Sequence, residues 1–147
     1  EQEEGSEYDI IVTLQPTSPF VRPEDIDACI QSLIDTDAAS CITAHATPHP
    51  PEWLFEVDDK GEATPFMSGR VQGDRGVIQA LPTRYVPDGA AYATRSELLR
   101  ERSELMPAPM HMVIVPEERA VEIDTPLDWV IVESVGRHYG FKPAGEE

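Results

Sequence analysis

The stretch YDIIVTLQPTSP, residues 8–19, limits the possible fold more than any other part of the sequence. Its first half is apolar and rich in β-branched residues, which is typical of a strand that is central in a sheet and parallel to its neighbours. Pro16 and Pro19 end that strand, because proline has no N–H to donate to a sheet. The sequence thus predicts a strand that leads into a stiff turn with three polar side chains, Gln15, Thr17 and Ser18.

A helix and a second strand follow this turn in the pattern. Residues 23–36 carry apolar side chains at helical spacing, and Pro23 suits the first helical position. The segment ASCITAHA, residues 39–46, has the composition of a strand. Because a strand, a helix and a strand in succession form a βαβ unit, we expect an α/β fold.

The middle of the chain departs from this pattern. Residues 47–69 contain short alternating stretches around DDKG, which is a turn signal, so we expect a β-hairpin outside the main sheet. Residues 69–89 are rich in glycine, arginine, aspartate and proline, and this composition is typical of a long functional loop.

The last third of the chain returns to alternating strands and helices. The composition predicts strands at 89–95, 110–116 and 119–124 and helices at 96–102 and 125–140. The strand at 110–116 is apolar enough to be buried. In the final helix, Thr125 suits the N-cap, Asp128 completes a capping box and Gly140 is a suitable stop.

Composition excludes some classes of partner. The chain has 28 acidic and 11 basic residues, a formal net charge of −17, which repels a phosphate backbone and argues against nucleic-acid binding. No apolar run is long enough to cross a membrane. Cys29 and Cys41 match no metal or redox spacing, so we expect two reduced core thiols and a cytoplasmic location.

The strongest local signal is VEIDTPLDW, residues 121–129. Glu122 and Asp124 are two residues apart on a predicted strand, so their carboxylates face the same side and repel each other unless a cation or proton lies between them. Oxygen ligands of this kind suit Mg²⁺, which takes one or two carboxylates and completes its shell with phosphates and water. The alternative is a solvated strand end beside a helix cap.

Two further stretches offer polar groups. In QALPTRYVPDGAAY, residues 79–92, the donors, acceptors and rings suit a sugar, and our candidates are Gln79, Asp88 and Tyr92. The alternative is an ordinary loop that runs into a strand. The turn LQPTSP likewise has the alternative of a simple helix entry.

A triphosphate is usually held by a glycine-rich turn at a helix N-terminus, with a lysine or arginine. No such turn occurs in this sequence, and GDRG at residues 73–76 is a weak match. If the protein uses a nucleotide, we expect part of that site to be missing from the chain.

Three stretches, LQPTSPFVRPEDID, QALPTRYVPDGAAYATRSELL and PEERAVEIDTPLDW, occur together and in this order in one enzyme family. The chain resembles the cytidylyltransferases that activate sialic acid and related nine-carbon acidic sugars, and the resemblance spans residues 8–135. It implies a Rossmann-like nucleotidyltransferase fold with a mainly parallel sheet. It also implies the reaction of CTP with a sialic acid to give CMP-sialic acid and pyrophosphate.

The resemblance also implies roles for residues. Glu122 and Asp124 would hold Mg²⁺ and serve as the catalytic pair, Gln15 would contact the sugar, and Tyr92 would lie near its acyl group. Thr17, Ser18, Gln79 and Asp88 belong to the matching substrate-binding stretches. Residues 46–80 would form an arm exchanged between the protomers of a homodimer.

The chain departs from the family at its start, because the family opens with a strand and a basic, glycine-containing loop that binds CTP. We therefore expect an acidic disordered leader at 1–7 and an N-terminally incomplete domain at 8–147, inactive by itself. Two alternatives stay open. One is a non-catalytic sugar-binding or dimerisation module, and the other is a metal-dependent protein like a glycosyltransferase.

Overall fold

The computed structural model describes residues 8–67 and 81–141. The predicted leader at 1–7, most of the predicted loop and the candidate Gln79 lie outside these residues. The described part of the chain forms strands and helices with the following bounds: β1 Ile10–Leu14, α1 Pro23–Asp35, β2 Ser40–Ala46, β3 Phe55–Val57, β4 Ala63–Pro65, β5 Tyr85–Arg95, α2 Ser96–Arg102, β6 Met110–Ile114 and α3 Pro126–Tyr139.

The chain divides into two compact units. One contains the residues up to His45 and those from Pro87 onward, and the other is Ala46–Val86. Four strands form a sheet in the order β1-β5-β2-β6, and β3 pairs with β4 in a separate two-stranded sheet. The predicted α/β class and the predicted hairpin outside the main sheet are therefore confirmed.

The main sheet is mixed, so the expectation of a mainly parallel sheet is wrong for the described strands. β2 and β6 are parallel, with Ser40 opposite Met110. β1 and β5 are antiparallel, with Ile10 opposite Arg95. β5 also runs against β2, because Arg95 N bonds to Ala39 O while Ala91 N bonds to the hydroxyl of Thr43, four residues further along β2.

β1 was expected to be central and parallel, and both expectations are wrong within the described sheet. It lies at the edge, and its neighbour is antiparallel. Its apolar composition is explained by the core on one face, where Ile10 and Val12 pack against the buried cluster around Cys29 and Cys41. Side-chain composition reports which faces are covered, and it does not report the direction of the neighbouring strand.

The core of this unit lies between α1 and the sheet. Cys29 and Leu33 of α1 are fully buried and form one cluster with Cys41 and Ala93. Both cysteines are free thiols, as the sequence predicted. β6 was expected to be buried, and this is wrong for most of the strand, where only Val113 packs on the core cluster and Met110 and Met112 are exposed.

The predicted strand at 119–124 is absent from the structure. Glu117–Arg119 form a short 3-10 helix, and the residues from Ala120 to Thr125 have no regular structure. The alternation of apolar and acidic residues that suggested a strand has another cause. Arg119 forms a two-point ion pair with Asp25 at the start of α1. Ile123 N donates to Thr17 O at 2.9 Å, so the segment 119–124 lies against α1 and the turn after β1.

α3 begins and ends as predicted. Thr125 is the N-cap, Asp128 completes the capping box, and Gly140 ends the helix in the left-handed conformation. Among the helices in the described part of the chain, none combines the length and hydropathy that crossing a bilayer requires.

The second unit contains the two-stranded sheet. Phe55 lies opposite Pro65, and Gly61 takes a positive φ of 83° in the turn, where Asp58 accepts bonds from Lys60 N and Glu62 N. Large apolar side chains of this unit are exposed, namely Trp53, Leu54, Phe55, Val57, Phe66 and Met67.

Candidate functional site

Gly89 in β5 is the point where two of the predicted site stretches meet. Its φ is +72°, which disfavours any other residue. A Cβ atom at this position would lie 1.8 Å from Oε1 of Glu122 and 2.6 Å from Oε1 of Gln15. The carboxylate of Glu122 and the side-chain amide of Gln15 therefore converge directly above this glycine, although they are 107 residues apart in sequence.

Backbone bonds hold Gln15 at this place. Gln15 follows the last residue of β1, and its N–H donates to Ala90 O at 3.3 Å. Its own carbonyl accepts from Ser18 N at 3.3 Å, which closes the turn between the two prolines. The hydroxyl of Ser18 donates to Asp88 O at 3.4 Å, and Ser18 is buried. The polar turn is thus fastened to β5.

The same turn holds the acidic segment. Thr17 O accepts from Ile123 N at 2.9 Å, and Ile123 stands between Glu122 and Asp124. Thr17 therefore contributes a backbone carbonyl to the site's framework, and Ser18 contributes a hydroxyl. The ion pair of Arg119 with Asp25 fixes the acidic segment from its other end.

Asp88 is buried beside this point, with 2% of its surface exposed. Its Oδ1 accepts from the hydroxyl of Thr43 and from Ala90 N at 3.1 Å. A buried carboxylate needs such bonds, because it is costly to remove from water. The Ala90 bond closes a turn around Gly89 that aspartate side chains favour.

Negative charge accumulates here. The pKa of Glu122 is raised above its ordinary value, first by burial and then by the nearby charges of Asp124, Asp88 and Asp128. The pKa of the Tyr92 phenol is also raised, first by burial and then by Glu122 and Asp88. Glu122 therefore lies within electrostatic reach of Asp88, Asp124 and Tyr92, in negatively charged surroundings.

Asp128 has a structural role that explains its position. Its Oδ2 accepts from Thr125 N at 2.7 Å and from Asp124 N at 3.1 Å. The pKa of Asp128 is lowered, first by the hydroxyl of Thr125 and then by backbone N–H groups. Helix capping was the sequence-based explanation of this residue, and the geometry agrees with it. The same bonds hold the backbone of Asp124.

The structure brings together Gln15, Asp88, Tyr92, Glu122 and Asp124 at the edge where β1 ends. Gln79 lies outside the described residues. Within residues 8–67 and 81–141, no three His, Cys, Asp or Glu side chains are grouped so that they could hold a metal ion by themselves. The strand on which Glu122 and Asp124 would face the same side is absent, so their spacing no longer places the two carboxylates side by side. The Glu122 carboxylate beside the amide oxygen of Gln15 still fits Mg²⁺, because this ion takes one or two protein carboxylates and fills its shell with phosphates and water.

Sequence reasoning missed three residues of this framework: Asp25, Thr43 and Arg119. Asp25 is one of two acidic residues in the first turn of α1, and Thr43 is one of several small residues in a strand. The available signal for Asp25 was its place at the third position of α1, from which its Oδ2 accepts from Arg22 N at 3.1 Å. The contacts of Thr43 and Arg119 depend on tertiary structure, and no local pattern predicts them.

The fold is similar to that of a nucleotidyltransferase. A solved structure of CMP:2-keto-3-deoxy-manno-octonic acid synthetase complexed with CTP superposes on 94% of this chain with a TM-score of 0.56. The two sequences are 18% identical, and the match covers 66% of that protein. No protein family model matches the chain.

The chain is also similar in sequence to two curated enzymes. CMP-N,N'-diacetyllegionaminic acid synthase from Legionella pneumophila is 24% identical over 129 residues, 87% of this chain and 54% of its own length. The mitochondrial 3-deoxy-manno-octulosonate cytidylyltransferase from Arabidopsis thaliana is 26% identical over 153 residues, 88% of this chain and 53% of its own length. The chain thus spans about half the length of these relatives and is similar to cytidylyltransferases of acidic sugars.

Proposed function

We propose that the protein to which this chain belongs transfers CMP from CTP to an acidic sugar and releases pyrophosphate. The observation that carries the proposal is the convergence of Gln15 and Glu122 above Gly89, at the edge where β1 ends. β1, β2 and β6 run in one direction, because β5 is antiparallel to both β1 and β2, and open α/β sheets place ligands beyond the carboxyl ends of such strands. Similarity to two synthases of CMP-linked acidic sugars supports the reaction type.

The sugar is proposed to be an acid of the sialic type or of the types in the names of the relatives, legionaminic acid and 3-deoxy-manno-octulosonate. Gln15 offers an amide that can both donate to and accept from a sugar hydroxyl. Tyr92 offers a ring face and a phenol beside it. Asp88, whose Oδ1 is already occupied by Thr43 and Ala90, supports this surface from beneath.

Mg²⁺ is proposed as the cofactor, held by Glu122 and Asp124. When bound, it would neutralise negative charge on the phosphates and on the leaving pyrophosphate. The chain's own contribution is to hold the backbone on which both carboxylates stand, through the bond of Ile123 N to Thr17 O and the bond of Asp124 N to the Asp128 carboxylate. The raised pKa of Glu122 fits this role, because a cation relieves the repulsion that raises it.

A homodimer is proposed as the assembly, with the unit Ala46–Val86 as the contact. An isolated two-stranded sheet is marginally stable in water, and the strands of this one have three residues each. Its exposed apolar side chains, among them Phe55, Val57 and Phe66, suit burial against a second copy. A cytoplasmic location remains a prediction.

The test is pyrophosphate release by the natural full-length protein with CTP, Mg²⁺ and a panel of acidic sugars. We expect release with at least one such sugar, and a large loss in the variant Glu122→Gln. Release of a nucleoside diphosphate from a nucleotide sugar would favour the glycosyltransferase alternative. Sugar binding without turnover in the full-length protein would favour the non-catalytic module.

A further inference from the structure

Thr43 is a buried residue of β2 that faces the candidate site from below. It is 1% exposed. Its hydroxyl donates to Oδ1 of Asp88 and accepts from Ala91 N at 3.0 Å. A hydroxyl has one proton, and the shorter contact directs that proton to the Asp88 carboxylate. Thr43 therefore joins β2 to two consecutive parts of β5.

The carboxylate that Thr43 holds sets the conformation of the next residue. Oδ1 of Asp88 accepts from Ala90 N as well, so the side chain bridges across Gly89. Such a bridge stabilises a turn, and here the turn contains the positive φ of Gly89. If the carboxylate rotates away from Thr43, it leaves Ala90 N without this acceptor.

Gly89 leaves the space that the side chains of Gln15 and Glu122 occupy. The side-chain oxygens of Gln15 and Glu122 both lie closer to the position that a β-carbon of residue 89 would take than any real side chain permits. A displacement of this residue therefore alters the separation of these two oxygens. Thr43 thus holds Asp88, Asp88 holds the turn at Gly89, and Gly89 leaves the space for the side chains of Gln15 and Glu122.

We propose that Thr43 is a positioning residue of this site, which fixes the separation of the Gln15 amide and the Glu122 carboxylate through Asp88 and Gly89. The proposal rests on the proposed function in one respect, the affinity for a divalent cation. The conformation of Gly89 and Ala90 can be measured without any ligand.

The experiment compares Thr43→Val with Thr43→Ser and with a matched control, Thr94→Val. Thr94 is also 1% exposed, and its hydroxyl donates to Leu105 O at 2.7 Å, outside the chain of contacts described above. The valine variants remove one buried hydroxyl each and keep the volume. The serine variant keeps the hydroxyl at position 43.

Three quantities are measured for each variant of the 147-residue chain: urea unfolding, the NMR amide signals of Gly89 and Ala90, and Mn²⁺ affinity by electron paramagnetic resonance. We expect Thr43→Val to lose more stability than Thr94→Val, because the Thr43 hydroxyl makes two buried hydrogen bonds, one of them to a carboxylate, whereas the Thr94 hydroxyl makes one. Only Thr43→Val should shift the signals of Gly89 and Ala90 and weaken Mn²⁺ binding by about tenfold or more. Thr43→Ser should restore both.

Unchanged amide signals and unchanged Mn²⁺ affinity in Thr43→Val would overturn the proposal, and so would equal changes in Thr94→Val. If the wild-type chain does not bind Mn²⁺, the cofactor part of the proposed function fails, and the amide signals with their recovery in Thr43→Ser still decide the positioning role. If Thr43→Val does not fold, Thr43→Cys replaces it, because a thiol of similar size is a weak donor.

Discussion

The sheet edge around Gly89 and the unit Ala46–Val86 place their polar and apolar groups in opposite ways. At the sheet edge the polar residues Ser18, Thr43 and Asp88 are buried and bonded inside the protein. In the second unit the apolar residues Phe55 and Val57 are exposed, at 51% and 65%. The first region is arranged by contacts within one chain, whereas the second leaves apolar surface that a further surface can cover. The contrast separates the proposed site from the proposed interface.

The largest expected effect concerns one ion pair from each region. Arg119 and Asp25 are mostly buried, so Arg119→Ala leaves a buried carboxylate without its partner, and we expect a loss of about 3–5 kcal/mol in the free energy of unfolding. Arg84 and Glu52 lie 3.0 Å apart in the second unit, where the Arg84 side chain is 43% exposed, so Arg84→Ala should cost less, about 1 kcal/mol. Urea unfolding followed by circular dichroism measures both. Equal losses would show that the two regions do not differ in this way.

The next effect concerns two glycines with positive φ. Gly89→Ala and Gly61→Ala share the backbone penalty of about 1–2 kcal/mol for a left-handed residue. Only the first adds a methyl group in the space of the Glu122 and Gln15 side chains, because nothing lies within 4 Å of the Cβ position at Gly61. We expect similar unfolding free energies and a loss of Mn²⁺ binding in Gly89→Ala alone. If Gly89→Ala still binds Mn²⁺, the cation does not bind beside this glycine.

A smaller effect is expected from pH. The folded state raises the pKa of Glu122, so this carboxyl contributes stability below its unfolded pKa and loses that contribution as the pH rises through the folded value. In buffer with EDTA, Glu122→Gln should therefore be more stable than the wild-type chain at pH 7. The difference should shrink as the pH falls toward 4. Thermal unfolding at several pH values measures it, and a difference that grows on acidification would have the wrong sign.

The smallest effect on stability concerns the hairpin. Phe55 and Val57 are two residues apart and face the same side of β3, and replacing both with threonine should change the free energy of unfolding by no more than about 0.5 kcal/mol. If this side is the contact between protomers, the double variant should be monomeric while the wild-type chain is dimeric by light scattering. Glu56→Gln, on the other side of the strand, is the control and should stay dimeric. A wild-type monomer at micromolar concentration contradicts the proposed assembly.

The helices were the most predictable part of the fold. α1, α2 and α3 lie within a residue or two of their predicted bounds, because proline, threonine and glycine at helix ends act through local bonds. The strand predicted at 119–124 failed for the opposite reason. Its alternation is real, but the contacts of Arg119 and Ile123 with α1 and the first turn determine its path.

The sequence by itself determined the α/β class, the turn at Gln15, the hairpin around residues 58–61 and the residue types of the site, since each depends on neighbours within a few positions. Tertiary structure alone decided the mixed sheet with β5 between β1 and β2, and the meeting of Gln15 with Glu122 above Gly89. It also decided that Thr43 holds Asp88. These contacts join residues far apart in sequence, and such pairs form only when the whole chain packs, so no local pattern contains them.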